Sequence, residues 1–430
     1  MDISKREKIT TGWGFCKKSI DTYTGMDPEQ GMTEQDFPVP GEFRPVRIPH
    51  DWMIENESDL YEDSVGWYRF CVGQDAERKP AWRSLVFDGV YMNSTIYVNH
   101  EEVFSWKYGY SSFEVPIGRY LQDGENEILV RVVYQNPNSR WYSGAGIFRN
   151  VWMVTGGPVH IGENGIYIHS DKNNNSYQSK IRVALEQPSG DGPEYDGGLE
   201  QYCPLSVEAC ILGDKDEVIA CQTVGVTDWV ANLELECRDV QEWSLATPKL
   251  YRLRVSVRNA QEEVCEEREI RFGFRTIAFD AQDGFRLNGE RVKFQGVCVH
   301  HDHGALGAAV HVSSIRRRLC LLRRMGVNAI RCAHNMPSRE FLDLCDEQGF
   351  LVMDEAFDCW ENHKTDYDYA SYFREWHEKD MKSFVERDRN HPCVILWSVG
   401  NEIADTHIGE RGMTVMKRLI KPITPHFASI

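Results

Sequence analysis

His391-Pro392-Cys393-Val394-Ile395-Leu396-Trp397-Ser398-Val399-Gly400-Asn401-Glu402 decides how the second half of this chain is read. Cys393 to Val399 is a short, nearly unbroken apolar run headed by a proline. Such a run suits a strand buried on both faces, as in a parallel sheet covered by helices. Gly400 lets the backbone turn, and Asn401 and Glu402 then present an amide and a carboxyl group just past the strand. In a barrel of parallel strands the chemistry gathers at the C-terminal strand ends, so Glu402 is the first candidate for a working group. The competing reading, that Glu402 caps a following helix, carries equal weight from this segment alone.

Working back from there, strand and helix alternate. Gly284 to Leu287 and Glu290 to Phe294 flank Asn288-Gly289, a dipeptide suited to the positive φ of a hairpin turn. A strand from Gly296 leads to a helix that Ser313-Ser314 can cap, with Ile315, Leu319 and Leu322 on one face and Gly326 as its stop. Val327 to Arg331 is the next strand. Ser338 can cap a second helix, with Phe341, Leu344 and Cys345 inward and Gly349 at its end. Phe350 to Met353 is a third strand, and a helix with Phe373, Trp376, Met381, Phe384 and Val385 as its stripe leads back to His391. A further helix is expected over Ile408 to Ile420. Such alternation means a parallel sheet.

Each of the four strands finishes in polar groups: His300-His301-Asp302-His303, then Arg331-Cys332-Ala333-His334-Asn335, then Asp354-Glu355-Ala356-Phe357-Asp358, then Asn401-Glu402. Four such ends in succession put carboxylates, imidazoles and amides on one rim, where a barrel builds its site. The mixture suits a sugar, because these groups hydrogen-bond hydroxyls and an indole takes the apolar face of the ring. Glycosidic cleavage needs one carboxyl group held protonated and a second carboxylate opposite. Three rival readings stand beside this one. The His-His-Asp-His run could hold a metal, although neighbouring strand residues point to opposite faces. Asp354 and Glu355 could form internal ion pairs only. His301 and His303 could face solvent.

The first 157 residues read as short strands and turns, such as Trp67 to Val72, Ser84 to Phe87 and Ser94 to Val98, with no helical period. A jelly-roll β-sandwich fits them. One loop, Asn138-Ser139-Arg140-Trp141-Tyr142-Ser143-Gly144, gathers polar and aromatic groups. It can reach a neighbouring site or tuck against its own sandwich. From 158 to 278 strands continue (Lys180 to Leu185, Leu205 to Leu212, Tyr251 to Val257), as in a seven-strand immunoglobulin-like sandwich, with Pro188 to Gly198 as an internal loop. The barrel segment is 279–430.

Bulk properties narrow the function. The 430 residues suit about three domains. A formal charge of −18 argues against nucleic acid and anionic membrane surfaces, and no apolar run approaches the roughly 18 residues of a membrane span. The N-terminus lacks the apolar stretch of a secretory signal. Thirteen scattered cysteines without a C-x-x-C pair are expected to be reduced, mostly buried thiols in a cytoplasmic protein.

The succession Gly296-Val297-Cys298-Val299-His300-His301-Asp302, Asn328 to Asn335, Met353 to Asp358 and Ser398 to Glu402 resembles glycoside hydrolase family 2, and within it the bacterial β-galactosidases. Ile48-Pro49-His50-Asp51-Trp52, Gly66-Trp67-Tyr68-Arg69, Gly146-Ile147-Phe148-Arg149 and Phe272-Gly273-Phe274-Arg275 agree. The resemblance implies a jelly-roll sugar-binding domain, an immunoglobulin-like sandwich and a (β/α)8 barrel that hydrolyses terminal β-linked sugars with retention. By match to the motifs, Glu402 is the expected general acid/base and Asn401 the partner of the sugar's 2-hydroxyl. His300 and His334 line the sugar pocket, Arg331 orients the nucleophile, and the Arg140 loop closes the pocket from the first domain. No cofactor is expected. The magnesium of some family members is not carried over, because Cys359 and Trp360 stand where its ligands would be.

One departure matters. The segment from Ala281 onward holds about 150 residues, whereas a complete barrel takes about 250, and only four strands can be counted. The family's nucleophile, a glutamate on the seventh strand, has no counterpart here. A half barrel also leaves apolar strand edges open. The expectation is a fragment with little turnover by itself, whose partners are a β-galactoside or related glycoside and a chain supplying the missing strands. A non-catalytic sugar-binding or complementation module is the alternative from another class. Within the family, β-glucuronidase and β-mannosidase share the architecture.

Overall fold

A computed structural model of the chain describes residues 4–22, 36–75, 80–186, 204–407 and 409–423. The first body is two antiparallel sheets. One runs Lys5–Lys8, Val151–Gly156, Trp82–Phe87, Phe113–Pro116, and the other Arg44–Val46, Trp13–Ser19, Ser64–Gln74, Gly124–Tyr134, Ser94–Val98, Glu101–Trp106. Strand alternation explains the packing. Ile128, Val130 and Val132 turn into the main core, whereas Leu129 turns the other way to meet Trp67, Tyr97 and Phe37 in a small second cluster.

The second body has its own core, including Val207, Ile211, Leu253 and Val255. Its sheets are His160–Asn173, Ser176–Glu186, Val230–Arg238 and Val218–Gly225, Ser206–Leu212, Tyr251–Arg258, Val264–Phe272, the seven strands expected of an immunoglobulin-like sandwich. The loop expected at Pro188 to Gly198 lies outside the described residues. One expectation fails here. Cys210 and Cys221 form a disulfide, so the thiols are not all reduced. The two residues are register partners on adjacent antiparallel strands, with Cα atoms 4.1 Å apart, so their side chains leave the same face of the sheet side by side. That pairing depends on strand register, which cysteine spacing does not reveal.

The third body begins with a hairpin whose turn, Asn288 and Gly289, has φ of 54° and 83°. Four parallel strands follow in chain order: Gly296–Val299, Ala329–Cys332, Leu351–Glu355 and Val394–Ser398. Between and after them lie α1 (Val312–Arg324), α2 (Arg339–Gln348), α3 (Ala370–Asp388) and α4 (Glu410–Ile420). This is a partial barrel of the (β/α)8 type. Ser338 caps α2 by accepting the Phe341 N–H, and Gly349 ends it in the left-handed region at φ 68°. The expected Ser313-Ser314 cap of α1 does not form. That helix starts earlier, behind His311, and the Ser314 hydroxyl bonds His303 Nδ1 at 3.0 Å instead.

Trp376 on α3 does not join the inner stripe but meets Trp106 of the first sandwich edge-on at 5.3 Å. The concave face of the four-stranded sheet, with Cys298, Ala329, Arg331, Met353 and Leu396, borders an open cavity of about 210 Å³. Among the described residues no helix is long and apolar enough to cross a membrane.

Candidate active site

The strand ends form one rim. The second strand presents Arg331, and the third presents Glu355, which is fully buried. Arg331 grips Glu355 with two nitrogens, Nη2 at 2.8 Å and Nε at 3.1 Å, and its Nη2 also donates to Asn401 Oδ1 at 2.8 Å. His334 Nδ1 lies 2.7 Å from Glu355, and the Ser398 hydroxyl donates to the same carboxylate at 2.6 Å. Glu355 on the third strand therefore gathers groups from the strands on either side of it. This satisfied pair, not a free nucleophile, is what the ion-pair reading of Glu355 anticipated.

Asn401 is held at every polar atom. Its Nδ2 donates to Asp358 at 2.8 Å, its backbone N–H to Phe357 O at 3.0 Å, and its carbonyl accepts from Lys364 Nζ at 2.7 Å. Glu402 follows in the left-handed region, φ 47°, with 69% of its side chain exposed. Residues other than glycine rarely adopt that conformation, and here it aims the carboxyl group outward over the rim.

The sandwich loop reaches this point. Arg140 Nη1 donates to Glu402 Oε2 at 2.9 Å, and its Nη2 and Nε bind Asp358 at 2.8 and 3.2 Å. Trp141 lies with its ring centre 5.3 Å from His300 and 5.8 Å from His334, and the two imidazoles meet edge-on at 5.6 Å. The tucked-loop reading fails, because Arg140 spends its donors on barrel residues. The structure thus brings together all six expected residues: Glu402, Asn401, His300, His334, Arg331 and Arg140.

Electrostatics assign their resting forms. The hydrogen bond and charge of Arg140 hold the Glu402 carboxyl below its ordinary value. A leaving-group donor needs its carboxyl raised, and the contact with Arg140 acts in the opposite direction on Glu402. At Asp358, burial pushes the carboxyl up, but hydrogen bonds from Arg140, Asn401 and Lys364 outweigh it and the net shift is down. Burial, then the neighbouring His334, lowers the His300 imidazole and keeps it neutral.

The remaining groups diverge. His301 Nε2 meets Ser143 O at 2.9 Å and His303 turns to Ser314, so the His-His-Asp-His run does not present a convergent ligand set. Neither faces solvent freely, and burial lowers them to about 3 and about 4. Asp354 is fully buried on the helix side of the sheet, raised by burial and then by Asp388 of α3. Trp360 is buried and donates its indole N–H to Val399 O at 2.9 Å.

Asp358, placed on the rim by the sequence but given no role of its own there, is the joint beneath Arg140, and Lys364 beneath Asn401 was not foreseen. Lys364 lies in a polar loop that carries no signal.

Family descriptions match the chain in three consecutive pieces: glycosyl hydrolases family 2, sugar binding domain, over residues 45–156; glycosyl hydrolases family 2 over 159–275; and glycosyl hydrolases family 2, TIM barrel domain, over 280–425. The β-galactosidase BoGH2A of Bacteroides ovatus is 40% identical over 380 residues, which covers 85% of this chain and 44% of that protein. A protein of Formosa agariphila named putative β-glucuronidase is 36% identical over 371 residues, covering 83% and 34% respectively. Among solved structures, a β-glycosidase from Bacteroides vulgatus superimposes with a TM-score of 0.85 at 30% identity, over 98% of this chain and 53% of that one. The chain spans less than half the length of these two curated relatives.

Proposed function

The chain belongs to glycoside hydrolase family 2, and from that premise we propose that it forms the acid/base half of a retaining exo-β-glycosidase acting on terminal β-linked galactose. In this reading the domains divide at 157 and 278. Glu402 is the general acid/base, and Asn401, His300, His334, Arg331 and Arg140 receive the sugar. The observation that carries it is the single rim on which three strand ends and the sandwich loop place Trp141, His300, His334, Asn401 and Glu402 together.

Retaining chemistry asks for a second carboxylate about 5 to 5.5 Å from the acid. Glu355 is engaged by Arg331, His334 and Ser398, and Asp358 by Arg140, Asn401 and Lys364, which leaves neither free to attack an anomeric carbon. We therefore assign the nucleophile to a polypeptide segment that completes the barrel over the apolar face of Ala329, Met353 and Leu396. A cytoplasmic setting belongs to the same proposal, and the Cys210–Cys221 disulfide is the observation that weighs against it.

The test is hydrolysis of an aryl β-galactoside by the chain co-expressed with the missing half of a related enzyme. Restored turnover that falls about 100-fold or more in Glu402→Gln is expected. Turnover indifferent to that substitution overturns the role of Glu402, and galactose binding without turnover favours a sugar-binding module. The name of the Formosa relative favours a second substrate, a β-glucuronide. A higher kcat/KM on the aryl β-glucuronide would replace galactose with it.

A further inference from the structure

Four charged groups close a ring where the sandwich meets the barrel. Arg140 stands between two carboxylates, bound once to Glu402 at 2.9 Å and twice to Asp358 at 2.8 and 3.2 Å. Lys364 completes the ring, with Nζ 3.0 Å from Asp358 Oδ1 and 2.7 Å from the Asn401 carbonyl. The two joints of Arg140 are unequal. The Asp358 side chain is 12% exposed and that of Glu402 is 69% exposed.

Two-pronged arginine–carboxylate bonds are geometrically specific and stronger than single ones, and an exposed single ion pair contributes little. The ring therefore opens at Glu402. Carried off by its own side-chain rotation, Glu402 leaves Arg140 still anchored, whereas Arg140 cannot leave without breaking both bonds to Asp358.

We propose that Asp358 is a positioning residue for the reaction: it pins Arg140 so that the sandwich loop parks Glu402 between turnovers, and Glu402 swings off Arg140 to reach the bridging oxygen of a glycoside. The role assigned to Glu402 in catalysis is the reading given above, on which this rests. The charged groups facing Glu402 are Arg140 from the sandwich loop and Asp358 and Lys364 from the loop after the third strand. Arg140 and Lys364 lower its carboxyl, and the Asp358 charge acts in the opposite direction.

That opposition supplies the test. If Asp358 were only a neighbouring negative charge, Asp358→Asn would lower the Glu402 midpoint further. If Asp358 pins Arg140, the same substitution releases the guanidinium and the midpoint rises toward the ordinary glutamate value of about 4.3. The measurement is carbon NMR titration of the full chain carrying glutamate labelled at Cδ, with the Glu402 resonance identified by its loss in Glu402→Gln.

The expected result is a rise in Asp358→Asn comparable to that in Arg140→Gln, no further rise when the two are combined, and a return toward the parent midpoint in Asp358→Glu. A midpoint that falls or stays in folded Asp358→Asn overturns the proposal. Should that variant fail to fold, Arg140→Lys decides. Its ammonium keeps the charge but cannot span both carboxylates, so a raised midpoint supports pinning and an unchanged one refutes it. No turnover is needed for this readout, so its failure leaves the glycosidase reading standing, and failure of the hydrolysis test leaves this one standing.

Discussion

Replacing Arg331 with leucine should unsettle the rim more than any other single change there. Glu355 is fully buried and accepts from Arg331 through two nitrogens, from His334 and from the Ser398 hydroxyl. Removing one partner of a buried ion pair costs about 3–5 kcal/mol, because the remaining charge stays desolvated. Two features place this site at the lower end. The Arg331 side chain is 31% exposed, and His334 and Ser398 remain to bond the carboxylate. Loss of the bond from Arg331 to Asn401 adds about 1 kcal/mol. The expected cost is therefore about 3–4 kcal/mol, the sum of these principles.

A chain of three bodies need not unfold in one step. The readout is accordingly native-state hydrogen exchange at slowly exchanging amides of Leu351–Glu355 and Val394–Ser398. Arg331→Leu combined with Glu355→Leu should recover more than half the loss, since apolar replacement of a whole buried pair is often close to neutral. A single-variant cost under about 1 kcal/mol, or a double variant as damaged as the sum of the singles, refutes the account.

Two further outcomes are expected. In Gly66→Ala the new methyl would stand 2.5 Å from Cζ3 of the buried Trp52 ring, itself fixed by a 3.0 Å bond from its indole N–H to Ser64 Oγ. Overpacking there should cost about 1–3 kcal/mol, seen as a lowered first thermal transition, and an unchanged transition would disprove the close packing. Burial raises the carboxyl of Asp380 to about 7, against the pull of hydrogen bonds from Ser111, Tyr369 and Trp106, while the unfolded value is about 3.9. The folded state therefore binds the proton more tightly. Its stabilising contribution is complete below about pH 4 and is lost as pH rises through 7. Asp380→Asn should flatten the stability profile across that window by up to about 4 kcal/mol, and identical profiles would contradict it.

Periodicity and turn chemistry made most of the fold legible. Val394–Ser398 reads as a strand of a parallel sheet because Val394 to Trp397 form an apolar run, and Asn288-Gly289 reads as a hairpin because few other pairs accept positive φ twice. Strand ends are legible too, since polar residues follow each apolar run. What stayed hidden are relations between distant segments. The start of α1 shifted because Ser314 found His303, eleven positions back, in place of its own helix. Cys210 and Cys221 met through register. Arg140 found Asp358, 218 positions away, through the docking of two domains. Local sequence encodes which groups are polar and which way a strand turns, but not which distant group completes a hydrogen bond.

That docking also bears on whether the first sandwich is a separable sugar-binding module. A detachable domain would meet its neighbour through a modest, polar contact. Here the main apolar cluster runs without interruption from Phe87 and Phe113 of the sandwich to Phe357 and Phe373 of the barrel. The polar bonds across the junction are themselves buried: Tyr108 to the Ala356 carbonyl at 2.6 Å, Ser111 to Asp380 at 2.6 Å, and Arg149 to the Met336 carbonyl at 2.6 Å. Among the described residues Arg149 has only carbonyl oxygens as hydrogen-bond partners, and burial lowers its guanidinium to about 10. Separating the domains would strand those carbonyls and expose the shared core together. The sandwich is thus part of the wall that sets Arg140 and Trp141 against the strand ends, and a rim built across two domains in this way is better suited to one substrate ring than to two independent binding events.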